Sequence, residues 1–335
     1  MSRVVHRLNA ALTEVMAADE RVFVIGEDIL DPYGGAFKVE KGLSTAHPDR
    51  VITTPISEAG IVGVGAGLAL RGYKAVVEIM FGDFSTLIVD QLVNQISKMT
   101  WMYGEQLDVH LVVRTPMGGR RGYGPTHSQS LERLFFGVPG LTVVAVSDVL
   151  DPAAVLKAAI GAGQPMFLVE DKVLYTRPVL DPEALKTQYG LSWSSDEAPF
   201  PTVKLRHGPE ADVTVVAYGA MVHPCLKAAQ HLHDVEELDL EIVVPHRLSP
   251  LDLGPIRSSA LESRRVVVCE EGTGPWGWGA EVLAQLADVT LEGPPERVAA
   301  KLSPIPASRA LEDETLPQVD DVVAAVLRTI DRDFV

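Results

Sequence analysis

The sequence predicts an α/β fold of two doubly wound domains, on three observations. Apolar runs of strand length alternate with runs of helical period, the pattern of parallel strands covered by helices. The alternation occurs twice, before and after a stretch rich in Pro, Ser, Asp and Glu that keeps no period. A chain of 335 residues is long enough for two cores. The expected division is a first domain over 1–188, a linker over 189–212 and a second domain over 213–335.

Residues 3–18 place Val4, Leu8, Ala11, Leu12 and Val15 on one helical face. Residues 21–26 read as a short buried strand whose end is closed by Glu27 and Asp28, before the turn Asp31-Pro32-Tyr33-Gly34-Gly35. Residues 50–53 are a second strand, and Pro55 biases Thr54 toward extended backbone. Glu58 then stands in a turn before a helix over 61–70, with Ser57 placed to cap it. A carboxylate there is favoured by the helix dipole. Gly60, Gly63, Gly65 and Gly67 crowd this helix, each costing about 1 kcal/mol relative to alanine. So much glycine implies that another backbone or a ligand packs on it, which makes Glu58 a candidate site residue.

Residues 74–79 form the next strand and 83–99 a long helix. Phe81 and Phe84 lie at the entry, on a turn after a strand's carboxyl end, where α/β sheets hold ligands. A strand over 109–114 leads into the glycine-rich loop 115–126, of a length that suits function. That loop delivers His127 and Ser128, and an imidazole titrating near neutrality suits proton transfer. Strand 142–145, helix 152–162 with Pro152 in its first turn, and strand 166–170 complete the first domain. The second repeats the alternation, with strands 213–217, 241–244 and 265–269 and helices 221–232, 251–263 and 280–287. The tail 311–335 reads as an acidic helix.

Forty-five acidic residues against 29 basic ones give a formal charge of −16. That balance argues against nucleic acid and anionic membrane as partners. Cys225 and Cys269 lie in apolar stretches without metal-ligand spacing and read as buried thiols of a reducing compartment. The first residues lack the unbroken apolar core of a signal peptide, and no apolar run approaches the roughly 20 residues of a membrane span. A cytoplasmic enzyme is the expectation.

Four segments carry a resemblance: TTPISEAGIVGVGAGLAL at 53–70, EIMFGDFSTLIVDQLVNQISKM at 78–99, THSQS at 126–130 and VVAYGAMV at 215–222. They resemble the beta subunit of thiamine-diphosphate-dependent 2-oxo acid dehydrogenases, the family of the pyruvate, branched-chain and acetoin dehydrogenase first components. The resemblance implies a thiamine-diphosphate pyrimidine-binding domain followed by a transketolase-type C-terminal domain. It implies that Glu58 binds the aminopyrimidine ring and starts proton transfer, that Phe84 stacks on that ring with Ile56 also in contact, and that His127 acts at the substrate. Asp90, Gln91 and Asn94 match a family helix that makes helix and subunit contacts. HRLSPLD at 246–252 and EEGTGPWGWGAEV at 270–282 match structural turns. The family also binds a potassium ion through backbone carbonyls, here those of Ala159, Ile160, Ala162 and Gln164. Ala162, Gly163 and Gln164 replace the usual Asp and Asn there.

The superfamily holds diphosphate and Mg²⁺ with Gly-Asp-Gly followed by Asn. This chain has Gly-Asp-Phe at 82–84 and no Gly-Asp-Gly anywhere. The resemblance therefore implies an alpha subunit that holds most of the Mg²⁺ site, in an α2β2 heterotetramer. The implied function is decarboxylation of a 2-oxo acid and transfer of the acyl group to a lipoyl-bearing acyltransferase component. Gly-Pro-Thr-His at 124–127 stands where many relatives read Leu-Tyr-His, and is similar to transketolase. It implies the alternative, a split transketolase-like or carboligase enzyme that transfers a two-carbon unit in biosynthesis.

Overall fold

Six of the apolar runs form the parallel part of the first sheet in this computed structural model, which describes residues 2–104 and 107–330. They are β1 (Val22–Gly26), β2 (Val51–Thr53), β3 (Lys74–Glu78), β4 (Leu111–Met117), β5 (Thr142–Ala145) and β6 (Met166–Asp171). Across the sheet the order is β5, β6, β4, β3, β1, β2, with every one of these pairs parallel. The short strand Arg247–Ser249 extends the sheet beside β5. The helices of this unit are α1 (Val4–Ala18), α2 (Leu43–Ala46), α3 (Glu58–Leu70), α4 (Ser97–Met102) and α5 (Pro152–Gly161). The buried face of α1 is Val4, Leu8, Ala11, Leu12 and Met16, so the apolar stripe ends on Met16 and not on Val15.

Two elements differ from their sequence reading. The helix expected over 83–99 is broken into a 3₁₀ segment (Gly82–Ile88), a π-helical segment (Gln91–Ile96) and α4. Gly82 lies so close to the Met117 side chain that a Cβ has no room, which forces a tight entry. At the other end the Ser97 hydroxyl donates to the Val93 carbonyl at 3.1 Å, a local bond that competes with regular helix. Strand β4 runs on to Met117, three residues past its expected end. Its last registered partner on β3 is Glu78 opposite Arg114, so Pro116 pairs only with β6 and its missing N–H is tolerated.

The second unit comprises Gly119–Arg133, Leu180–Arg247 and Leu251–Val335, while Leu248–Pro250 belongs with the first. Its elements are α6 (Pro182–Tyr189), β7 (Ser192–Ser195), β8 (Thr202–Arg206), β9 (Val213–Ala217), α7 (Val222–Glu236) and β10 (Leu240–Pro245). The Arg247–Ser249 strand, β11, precedes α8 (Leu253–Ser263), β12 (Val266–Thr273), α9 (Trp278–Gln285), β13 (Glu296–Ala300), α10 (Arg309–Thr315) and α11 (Val319–Ile330). The sheet order is β13, β12, β9, β10, β8, β7. The first four strands are parallel, whereas β8 is antiparallel to both β10 and β7.

The segment 189–212, expected to be a linker, therefore supplies two strands of this sheet. Strand β7 is mostly exposed and serine-rich, so it carries no apolar alternation to read. Just before it, Asp181 caps α6 by accepting from the Ala184 N–H at 2.7 Å, and Pro182 opens the helix. The acidic tail is two helices and not one, parted around Pro317, and 331–335 lies outside the described residues. Glu312, one of the acidic residues of that tail, is buried. It accepts from the Arg120 N–H at 2.8 Å and the Gly122 N–H at 3.1 Å.

Candidate functional site

The carboxyl ends of β2, β1 and β3 lie side by side, and each leads directly into a residue of chemical interest. Glu58 is the first residue of α3, so the helix begins on it and not three residues later. The residue is buried, with 6% exposed. Ser57 occupies the cap position but makes no capping bond. Its hydroxyl turns over Gly60, where an added Cβ would lie 2.9 Å from Oγ.

Glu27 follows β1 and is buried as well. Burial raises its pKa, the charges of Glu58 and Asp28 raise it further, and the Ser57 backbone N–H works against them. One of its oxygens, Oε1, is buried with no hydrogen-bond partner. Sequence reading took Glu27 for a strand cap. The available signal was an acidic residue at the end of an apolar strand whose neighbour leads to Glu58.

Helix α3 packs against the 3₁₀ segment that carries Phe84. Phe84 is half-buried and meets Phe81 edge-on at 5.8 Å between centroids, and Phe81 meets Phe37 in the same way at 5.7 Å. Ile56, before α3, is 83% exposed. An open cleft of about 430 Å³ at the ends of β1 and β2 is lined by Asp28, Leu30, Tyr33 and Thr53.

The glycines of α3 divide by face. Gly65 lies on the sheet, where an added Cβ would come within 2.6 Å of Val77 Cγ2 and 3.0 Å of Leu111 Cδ1. Gly63 and Gly67 are exposed with nothing within 4 Å, and Val64 between them is exposed too. Close packing on the side chains of the sheet accounts for Gly65 within this chain and leaves the other face open.

Next to the site runs a buried ionic cluster that the sequence reading missed. Arg114 is fully buried and donates to Glu170 through Nε at 2.9 Å and Nη2 at 2.6 Å. Its Nη1 donates to both Glu40 and Glu78. The Tyr175 hydroxyl donates to Glu170 at 2.7 Å. Burial, then the charge of Glu78, raise the Glu40 pKa well above the usual glutamate value, and Arg114 only partly offsets them. Burial opposes the guanidinium charge, but Glu170, Glu40 and Glu78 outweigh it and hold the Arg114 pKa high. Glu78 also contributes to the raised pKa of Glu27, so cluster and site are electrostatically linked. The signal was a charged residue inside or closing each of the runs AVVE, LVVR and MFLVE.

His127 belongs to the second unit, within Gly119–Arg133. It is half-buried, its N–H donates to the Gly124 carbonyl at 3.2 Å, and Nδ1 lies 3.0 Å from Thr126 Oγ1. The Gly119 N–H donates to Glu271 at 2.7 Å, and Arg120 Nε to the same carboxylate at 2.9 Å. Close by in sequence, Glu132 accepts from the Tyr218 hydroxyl at 2.5 Å, and burial pushes its pKa up to about 7. Glu58, Ile56 and Phe84 thus belong to one unit and His127 to the other. Of the carbonyls expected at potassium, Ala159 accepts from the Ala162 N–H at 3.3 Å, and Ile160 lies 3.3 Å from His110 Nδ1. Asn94 donates to Asp90 at 2.7 Å within its own helical segment. Cys225 and Cys269 are free and buried.

A parallel sheet with acidic and aromatic residues at its strand ends, followed by a second α/β unit, defines a protein of the transketolase type. The chain matches the family Transketolase, pyrimidine binding domain, over residues 4–178 and the family Transketolase, C-terminal domain, over 202–322. It is 37% identical to the pyruvate dehydrogenase E1 component subunit beta-1, mitochondrial, of Arabidopsis thaliana, over 96% of this chain and 87% of that one. It is 32% identical to the human mitochondrial subunit beta, over 96% and 89%. It is 34% identical to the acetoin:2,6-dichlorophenolindophenol oxidoreductase subunit beta of Cupriavidus necator, over 96% of each. Among solved structures, a split gene transketolase, inactive beta4 tetramer, shares the fold with a TM-score of 0.72 at 22% identity, over 98% of each chain. The chain belongs to the family of these E1-type beta subunits.

Proposed function

We propose that the chain is the beta subunit of a heteromeric thiamine-diphosphate-dependent 2-oxo acid dehydrogenase, one that decarboxylates a 2-oxo acid and passes the acyl group to a lipoyl carrier. The observation that carries this reading is the buried Glu58 at the head of α3, paired electrostatically with Glu27 at the end of the neighbouring strand. These residues fit the aminopyrimidine of the cofactor, a flat ring with a basic nitrogen. Glu58 offers the carboxyl for that nitrogen, and Phe84 and Ile56 offer apolar surface. When bound, thiamine diphosphate supplies a nucleophilic carbon and an electron sink.

The chain's own residues do the rest. Glu58 holds and moves a proton at its carboxyl oxygens. Glu27, its pKa raised by burial and then by the charge of Glu58, adds a second buried carboxyl at the end of the neighbouring strand. Phe84 and Ile56 orient the ring and exclude water. His127, steadied by Thr126, transfers a proton with the substrate. The Mg²⁺ and diphosphate half falls to an alpha subunit, because no Gly-Asp-Gly is present. The open Gly63–Val64–Gly67 face of α3 and exposed Ile56 support a partner there, in an α2β2 assembly. Potassium belongs to the same proposal, through the second lone pairs of the Ala159 and Ile160 carbonyls together with those of Ala162 and Gln164. The two free thiols support the cytoplasm as compartment. Among the described residues no helix is long and apolar enough to cross a membrane.

The test is co-expression with an alpha subunit that carries Gly-Asp-Gly, followed by a donor panel. Carbon dioxide release and acylation of a lipoyl domain from a 2-oxo acid are expected, with no turnover by this chain alone. Ketose cleavage without any 2-oxo acid turnover would replace the reading with the split transketolase-like one.

A further inference from the structure

The second unit carries a cluster that the proposed reaction does not use. His207 follows β8, His233 lies in the last turn of α7, and Asp239 immediately precedes β10. One ligand-capable atom from each lies within 4.8 Å of the other two. The two imidazoles are stacked, with centroids 4.4 Å apart and planes 10° from parallel. His233 Nδ1 lies 2.8 Å from Asp239 Oδ1.

The orientation of His207 is decided by its neighbour. Its Nε2 lies 2.9 Å from the Tyr189 carbonyl, which can only accept, so Nε2 carries the proton and donates. In the neutral ring that leaves Nδ1 with a bare lone pair. This Nδ1 is buried and has no hydrogen-bond partner. A backbone carbonyl that holds one ring nitrogen is the outer-shell arrangement that orients metal-binding histidines, and here a second imidazole stacks on the same ring with a carboxylate within reach.

We propose that His207, His233 and Asp239 form a binding site for a late first-row divalent cation, with Zn²⁺ as the natural occupant. Two imidazoles and one carboxylate are borderline donors, which favour Zn²⁺, Ni²⁺ and Cu²⁺ over the all-oxygen preference of Mg²⁺ and Ca²⁺. Zinc bonds of about 2.0–2.1 Å place tetrahedral ligand atoms roughly 3.3 Å apart. His233 and Asp239 are already at that scale, and the exposed His233 ring must swing out of its stack on His207 to bring both imidazole lone pairs onto one ion. Three protein donors leave the fourth position to water. The ion ties the turn after β8, the end of α7 and the start of β10 together, three segments that sequence separates, so its role is a clamp on the second unit. It lies outside the residues assigned to thiamine diphosphate and does not depend on that reading.

The test uses the full chain without an affinity tag. Calorimetric titration with ZnCl₂ should show one saturable site per chain, while MgCl₂ gives none. Co²⁺ should produce a visible d–d band of a low-coordinate N/O site. His233→Ala removes an exposed side chain and leaves the fold intact. It should weaken Zn²⁺ binding by at least about 100-fold, since even outer-shell changes cost 10–100-fold, and should abolish the Co²⁺ band. Asp239→Asn should weaken binding in the same direction. His231→Ala, on the same helix, should bind as the unaltered chain does. Zinc should also raise the melting temperature of the unaltered chain and not of His233→Ala. Absence of saturable binding, or equal affinity in His233→Ala, overturns the proposal.

Discussion

Replacing Arg114 by methionine isolates the electrostatics of the buried cluster while roughly conserving volume. In the native chain one guanidinium, with none of its surface exposed, serves Glu40, Glu78 and Glu170. The replacement leaves three buried carboxyls facing one another without a cation. Removing one partner from a buried ion pair costs about 3–5 kcal/mol, and that range applies here. The first unit holds about 170 residues, for which the entropy of unfolding is about 0.35 kcal/mol/K. The expected loss in melting temperature by calorimetry is therefore about 9–14 °C at pH 7.5.

The pH dependence follows from the direction of the Glu40 shift. A glutamate whose folded pKa is raised contributes stability below its unfolded value of about 4.5, and loses it as pH rises through the folded value. Without Arg114 the three buried carboxylates also repel one another with no cation between them, and protonation relieves that repulsion. The deficit of the variant should accordingly shrink on acidification from pH 7.5 to 5. A melting temperature within about 2 °C of the native chain, or a deficit that grows on acidification, would show that Arg114 does not compensate these carboxyls.

The two faces of α3 make opposite predictions. Gly65→Ala should destabilise the chain by about 1–3 kcal/mol through overpacking against Val77 and Leu111. Gly63→Ala should stabilise the isolated chain by up to about 1 kcal/mol while weakening association with an alpha subunit, read by denaturation and by size-exclusion chromatography. Glu58→Gln in the assembled enzyme should slow hydrogen–deuterium exchange at the cofactor's reactive carbon by about 10²–10⁴-fold with assembly intact. Unchanged exchange would reduce Glu58 to a helix-start residue. His127→Ala should keep that exchange and slow decarboxylation or acyl transfer by a similar factor of about 10²–10⁴, and unchanged single-turnover kinetics with every donor would remove it from the reaction.

The alternation of strands and helices was legible because each element buries its own apolar stripe, as α1 and the runs of β1, β3, β4 and β6 do. The motifs around Glu58, Phe84 and His127 were legible as local strings, since their resemblance does not require knowing what they touch. Local chemistry could not say that Ser57 leaves its cap unmade, that α3 begins on Glu58, or that the helix after Phe84 breaks into three pieces. The tight entry at Gly82 depends on Met117, 35 residues on, whereas the Ser57–Gly60 and Ser97–Val93 contacts are local in sequence but fixed only once the backbone is placed. The antiparallel β7 escaped because an exposed edge strand needs no apolar period, and the buried β8 escaped as a five-residue run inside a stretch rich in Pro, Ser, Asp and Glu. Arg114, 36 residues from Glu78 and 74 from Glu40, acquires its partners only when the strands lie in register and the chain returns over them. The same holds for His207, His233 and Asp239, a pair of histidines 26 residues apart with an aspartate six further on. No spacing rule joins them. Folding β8, α7 and β10 together does, because charge and ligand clusters are made by distance in space, and sequence records only distance along the chain.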